Sequence, residues 1–465
     1  MVERNLKSFS GLFSEYTELR MQENRVTRIA LVKGNLVRNS RSVNSGVSAR
    51  VYRRGSWGFA SSPEMSADSV ESVVHSATEN AVFLDSRANR RAESLPFKPT
   101  TSENDFTTKQ PRLSQTDLVD FMKSLDDHIV KSYPELTSRT VVLSCQDMEK
   151  SVVTSDGSSF FSMIPRTNIM ILLTAEKEGE PVELYDVHGD LGQFEDVFAA
   201  SAKLDAGSDL LEKIERQHEH LMKKKDGIYP DAGVKECVLG PELAGILAHE
   251  ALGHTTEADI IKGGSVAPDY LNAEAASPLI TLVDFANTAL GKTCPVPVYV
   301  DDEGTLAEDA VIIERGVLKS YMHNKQSAME FQMAVTGNAR AFQFSDEPLI
   351  RMRNTAILPG EDRLEEMISS IDDGYYLVKP SNGQADSTGE FMFGVPLGYV
   401  IKKGRLGRAL KDTTISGVAF DVLRSVTMVS DDMFWSNGGM CGKKQPIPVG
   451  LGGPAVKCRV SLGGR

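Results

Sequence analysis

The sequence predicts an α+β fold in two parts, an N-terminal α/β domain over residues 1–228 and a mainly β C-terminal domain over 229–465. Three observations carry this. Up to about residue 225, β-prone runs with hairpin turns alternate with amphipathic helices. The turn-rich Tyr229-Pro230-Asp231-Ala232-Gly233 then breaks the pattern. Beyond it lie one marked helix and a long series of strand-like runs with no second boundary. Length alone, 465 residues, gives a prior of about three domains; the pattern lowers it to two.

The elements follow in order. Residues 1–20 suit a short helix. TRIALVKGNLVRNS reads as two strands joined at Lys33-Gly34-Asn35, and VSARVYRRGSWGFASS as two joined at Arg54-Gly55, since glycine beside polar residues between β-prone runs marks a hairpin. Ser66–Leu84 has helical spacing at Val70, Val73, Val74, Ala77 and Ala81. Residues 85–113, rich in Arg, Ser, Thr, Asn and Pro, read as a long surface loop. Ser114–Ser132 puts Leu118, Phe121, Met122, Leu125 and Ile129 on one helix face. Strands are expected at 139–146, 150–154, 159–163 and 167–176, then a long helix over Gln193–Lys225, its final lysines suiting the helix dipole and Gly227 a plausible cap. In the second part a helix over 241–261 opens with Pro241 at its first position. Strands are expected at 279–284, 297–301, 308–314, 317–322, 349–357, 375–379, 389–393, 397–402, 411–417 and 454–462, with a helix at 362–371.

Composition excludes several classes. Hydrophobic residues make up 41% and charged residues 25%, as in ordinary globular proteins. The net charge of −13 lacks the basic footprint of a duplex-binding protein, so no nucleic-acid partner is expected. Residues 1–60 carry eleven Lys and Arg against four Asp and Glu. That local surplus reads as a solvated basic surface, with a partner-docking face as the alternative. No run reaches the ~18–20 apolar residues of a membrane span. The opening MVERNLKSFSGLF has charges where a secretion signal is apolar. Five cysteines, an odd and sparse set, do not form a disulfide framework. A reduced, cytoplasmic protein is expected.

The chemistry centres on the helix 241–261, which contains His249-Glu250-Ala251-Leu252-Gly253-His254, an HExxxH pattern. In the zinc-protease pattern HExxH the histidines are four apart and share a face. Here they are five apart, and in a regular α-helix such side chains diverge by about 140°. They can share a metal only if the helix kinks, unwinds or carries a π-bulge, for which Gly253 offers a permissive site. Two unrelated helix histidines remain the alternative.

Catalytic zinc takes three protein ligands and leaves a position for water. Cys441, in Asn437-Gly438-Gly439-Met440-Cys441-Gly442-Lys443, sits among glycines that let backbone approach a metal. Cys145 and Cys458 lie in strand-like alternation, Cys294 precedes a proline, and Cys237 is a rival whose setting favours packing. A buried cysteine without metal is the alternative for Cys441 too. With two imidazoles and a thiolate on Zn2+, Glu250 is the natural general base, taking a proton from zinc-bound water and passing it to a leaving amine. A solvated helix carboxylate is the alternative. Glu257 and Asp259 either orient a histidine or sit on an exposed helix end. Asp186, His188 and Asp190 have metal-like spacing but read better as a polar turn before residue 193.

The sequence resembles the TldD/PmbA family of metallopeptidases. HEALGHTTEAD at 249–259 is similar to the family's HEAxGHxxExD segment, and GGMCGKKQPIPVGLGGPA at 438–455 to its cysteine-bearing segment. VDDEGT at 300–305, IERGVLKSYMHNKQSA at 313–328, RMRNTAILPGE at 351–361 and GQADSTGEFMF at 383–393 follow the family order. The resemblance implies zinc on His249, His254 and Cys441 and catalysis by Glu250. It implies the histidine-keeping, catalytic branch, an N-terminal α/β domain, and a C-terminal domain on a large curved antiparallel sheet with the metal-binding helix at its start. It further implies a homodimer, or a heterodimer with a paralogous subunit, enclosing a chamber that admits unfolded peptides. The lead Met428–Ser436 departs from the longer glycine-rich lead of the catalytic branch, which bears on substrate preference. Other readings left open are a non-catalytic peptide-binding subunit and a metal-dependent amidase acting on a small molecule.

Overall fold

The computed structural model describes residues 2–88, 94–199, 203–204 and 208–463. It is a mixed α+β fold built on large, mostly antiparallel sheets. The first sheet uses β1 (Tyr16–Val32), β2 (Asn35–Arg53), β3 (Ser56–Ser62), β4 (Thr101–Asp105), β5 (Ser138–Thr154), β6 (Ser159–Lys177) and β7 (Glu180–Leu191). Its order is β3-β2-β1-β5-β6, and β4 and β7 lie end to end along the outer edge of β6. Pro165 falls in the gap, after the last β4 partner, Met163, and before the first β7 partner, Arg166. A residue without an N–H is tolerated where the ladder is interrupted.

Both expected hairpins form. Lys33 and Gly34 have φ of 50° and 81°, and Arg54 and Gly55 have 46° and 88°. Two successive left-handed residues match the twist of the flanking strands, which is why glycine follows in each. The strands run well beyond the hairpin signals: β1 has 17 residues and β2 has 19.

One face of this sheet is apolar and takes the helices. Leu19, Met21, Val47, Ala49 and Val51 pack against Val70, Val73, Val74 and Ala77 of α1 (Ala67–Arg87). Ile29, Leu31, Val141, Leu143, Ile169 and Ile171 pack against α2 (Gln115–Ser132), whose Ser114 and Asp117 form a capping box. The alternate residues of β1 are buried but polar, and they meet the C-terminal half. Arg20 donates to the carbonyl of Asp346 at 2.6 Å, and Gln22 and Asn24 both donate to that of Phe342 at 2.6 Å. Arg50 reaches Glu303 at 2.7 Å and Lys150 reaches Asp302 at 2.7 Å. The basic N-terminal segment is therefore only partly a solvated surface: Arg20 and Arg50 are buried in ion-paired contacts.

Several expectations are corrected. Residues 1–20 hold only a 3-10 turn, Leu6–Leu12, before β1 begins. The expected loop 85–113 contains β4. The polar turn expected around Asp186, His188 and Asp190 is β7, an edge strand on which Asp186 pairs with Lys379, Asp190 is exposed and His188 is buried. The long helix expected over 193–225 is a short one, Phe194–Val197, and a separate Asp209–Lys225, and 200–202 and 205–207 lie outside the described residues.

The largest sheet has nine strands. Its order is Gly383–Ala385, Glu390–Val395, Thr413–Val418, Val456–Leu462, β8 (Gly233–Leu239), Asp373–Lys379, Leu397–Lys402, Arg405–Ala409, with Met428–Val429 also paired to Val456–Leu462. One neighbouring pair, β8 with Asp373–Lys379, is parallel. A six-stranded sheet centred on Leu282–Phe285 and Asn354–Ile357 lies beside it, and 297–301 forms no strand. Cys237 and Cys458 face each other across β8 and Val456–Leu462, both buried in the main core.

Candidate metal centre

β8 feeds straight into the expected helix, with Gly240 as N-cap and Pro241 at the first position. The α-helix ends at Ile246. Leu247–Gly253 is a seven-residue π-helical segment, and His254–Thr256 is a 3-10 turn. Leu243, Ala244, Leu247, Ala248, Ala251 and Leu252 are all in the core. Glu242, Ile246, Glu250 and His254 form the single half-exposed stripe.

The π turn resolves the problem of five-residue spacing. Its hydrogen bonds run from residue i to i+5, and the N–H of His254 donates to the carbonyl of His249. The two imidazoles meet edge to face one turn apart, with centroids 5.2 Å apart and planes at 80°. Gly253 does not act as a flexible break. Its φ and ψ, −57° and −52°, are helical. A Cβ there would lie 2.0 Å from the sulfur of Met352, so a larger residue would require that buried side chain to move.

Cys441 comes from the other end of the chain. It lies in a small hairpin, Met440–Cys441 paired with Ile447–Pro448. Buried arginines hold this hairpin through its carbonyls. Arg351 donates to Cys441 O at 2.7 Å and to Gln445 O at 2.6 Å. Arg340 donates to Pro448 O at 2.8 Å and Arg166 to Gly439 O at 2.9 Å. Burial lowers Arg166 to about 10 and Arg340 to about 9, within the range in which a guanidinium stays charged at neutral pH.

The thiol so held sits 3.4 Å from His254 Nε2. The ligand atoms of His249, His254 and Cys441 all lie within 4.8 Å of one another, the one such cluster of three among the described residues. His249 is buried, and neither of its ring nitrogens has a hydrogen-bond partner. A buried imidazole without a partner is costly unless something else occupies its lone pair. Two imidazoles and a thiol are the soft donor set that suits zinc rather than calcium or magnesium. The residues fit a zinc ion with a position to spare.

Glu250, on the half-exposed side, has a carboxylate oxygen 3.7 Å from His254 Nε2. Glu257, fully buried, accepts from His254 Nδ1 at 2.7 Å, which turns Nε2 toward Cys441. Asp259 instead pairs with Lys443 at 3.0 Å. Burial disfavours the charged forms of both His254 and Cys441, yet their neighbours outweigh it. Glu257 lifts His254 to about 10, and the two imidazoles pull Cys441 down to about 3. The other cysteines differ: burial raises Cys145, Cys294 and Cys458 to about 12 and Cys237 also upward. Cys237, the rival ligand, is in the core pair with Cys458 and not in the cluster. Asp186, His188 and Asp190 form no such cluster either; Asp186 pairs with Lys379 at 2.8 Å.

Sequence reasoning missed Arg351, Arg340, Arg166 and Lys443. Only Lys443, beside Cys441, carried a local signal.

Residues 232–464 match the C-terminal domain of PmbA/TldA metallopeptidases, and residues 17–81 match domain 1 of the same proteins. A zinc metalloprotease TldD homolog of Saccharolobus solfataricus is 27% identical over 91% of each chain. A metalloprotease TldD homolog of Buchnera aphidicola (subspecies Acyrthosiphon pisum) is 30% identical over 90% of this chain and 87% of its own. The fold is similar to that of TldE from Thermococcus kodakarensis, with a TM-score of 0.76 and 16% identity over 99% of each chain. A protein from Thermotoga maritima described as a putative modulator of a DNA gyrase has a TM-score of 0.73 at 17% identity over 96% of each. The chain belongs to the PmbA/TldA metallopeptidase family.

Proposed function

We propose that this chain is a cytoplasmic zinc metallopeptidase of the catalytic branch, hydrolysing unfolded peptides or protein segments. In this reading His249, His254 and Cys441 hold the ion, and Glu250 is the general base. The observation that carries it is the convergence of those three ligand atoms to within 4.8 Å, with the Glu250 carboxylate alongside.

Zinc, when bound, polarises the scissile carbonyl and lowers the pKa of a water. The protein's own groups do the rest. Glu257 fixes the His254 ring by accepting from Nδ1. The hairpin around Cys441 holds the thiolate against the helix. Glu250 takes the proton of the attacking water on its carboxylate and delivers it to the leaving amine. A chamber closed by a second copy or a paralogous subunit restricts access to unfolded chains, and this part of the reading follows from the family resemblance.

The test is zinc content together with hydrolysis of a reduced, unfolded polypeptide by the purified protein and Glu250→Gln. The variant is expected to keep its zinc and to lose about 100-fold or more of the rate. Full activity in Glu250→Gln would overturn the role of Glu250. Stoichiometric zinc without hydrolysis of any unfolded chain would favour a peptide-binding subunit.

A further inference from the structure

We propose that Lys443 is a positioning residue that ties the Cys441 hairpin to the helix bearing His249 and His254, and so sets the spacing in which the three side chains take zinc. This rests on the metallopeptidase reading above. The two ligand-bearing segments are 187 residues apart in sequence. The hairpin ladder consists of only two residue pairs, too short to fix the thiol on its own.

Lys443, two residues after Cys441, supplies a tie on the side of the hairpin nearest the helix. Its Nζ donates to both carboxylate oxygens of Asp259 at 3.0 Å and to the carbonyl of Ile350 at 2.7 Å. It also lies 3.1 Å from Glu257 Oε2. That same oxygen accepts from His254 Nδ1 at 2.7 Å, and His254 Nε2 faces Cys441 Sγ at 3.4 Å. The contacts close a ring: Cys441, Lys443, Glu257, His254 and back to Cys441. Ile350 precedes Arg351, which holds the Cys441 carbonyl, so the Ile350 carbonyl and the Arg351 guanidinium grip the hairpin from successive residues.

The chemistry suits a lysine. Its ammonium has no lone pair for a metal, and as a compact charge with three donors it can serve two carboxylates and a carbonyl at once. Glu257 is fully buried, and a buried carboxylate holds its place only when paired. Lys443 therefore steadies the acceptor that orients His254 as well as the loop that carries the thiol.

The experiment measures zinc affinity, by competition with a chromophoric chelator, and the visible spectrum of the cobalt-substituted protein. Wild type, Lys443→Met, Lys443→Arg and Cys441→Ser are compared, with thermal unfolding of each metal-free protein as a fold control. Lys443→Met is expected to weaken zinc binding about 10–100-fold and to alter the cobalt–thiolate absorption. Lys443→Arg should restore most of both. Unchanged affinity and spectrum in Lys443→Met would overturn the proposal and leave the metal site standing. Equal losses in Lys443→Met and Lys443→Arg, matched by equal drops in metal-free melting temperature, would also overturn it, as a purely structural effect. A wild type that binds zinc no better than Cys441→Ser would overturn the metallopeptidase reading itself.

Discussion

The N–H of His254 donates to the carbonyl of His249, five residues earlier. That single i to i+5 bond turns a spacing unsuited to an α-helix into a pair of imidazoles facing the same thiol. π turns of this kind are rare and cluster at functional sites. Here the surrounding core holds the turn in place, since Leu247, Ala248, Ala251 and Leu252 are all buried on it.

Gly253→Ala tests how tightly that turn is held. Its methyl group would meet the Met352 sulfur at 2.0 Å, so stability should fall by about 1–3 kcal/mol from overpacking. Thermal unfolding reads this directly. A melting temperature equal to that of wild type would show that the turn and Met352 separate freely.

Arg351→Met tests the hairpin clamp. It leaves the carbonyls of Cys441 and Gln445 without their buried donor, at about 1–3 kcal/mol for each. Urea unfolding should show the loss, and zinc affinity should fall with it. Unchanged stability would mean that the carbonyls find other donors.

His323 supplies a pH dependence away from the metal centre. It is fully buried, with Nδ1 3.0 Å from the Ser327 hydroxyl. Burial, with a smaller contribution from Lys262, lowers it from 6.5 to about 4. Between those values the unfolded chain binds a proton that the folded chain refuses, so stability falls as pH drops from 6.5 toward 4. The full effect is about 3 kcal/mol. His323→Asn should flatten this part of the profile in urea unfolding measured across that range. An unchanged slope would contradict the assignment.

The site was more legible in the sequence than its supports were. His249, Glu250 and His254 announce themselves by local spacing, and the five-residue gap itself called for a non-α turn. Cys441 stood out through its glycine neighbours and the family resemblance. Gly253 lies at the end of the π turn that the spacing called for, but its close approach to Met352, 99 residues away, is one that no local pattern reveals. Arg351 and Lys443 matter only through contacts made over about ninety residues or more. The same limit shaped the fold. Hairpin turns and the Gly240-Pro241 helix start, set by adjacent residues, fell where expected, whereas the helix Asp209–Lys225 is capped by Asp226 rather than by a left-handed Gly227. β7 read as a turn because Asp186, Gly189 and Asp190 favour turns locally, whereas pairing along β6 makes it a strand.

The most direct measurement of the central claim is the zinc content per chain of wild type, His249→Ala, His254→Ala and Cys441→Ser, each checked for native unfolding. The account predicts a single equivalent in wild type and its loss in every variant. Zinc retained undiminished in the folded variants, or none bound by wild type, would contradict it.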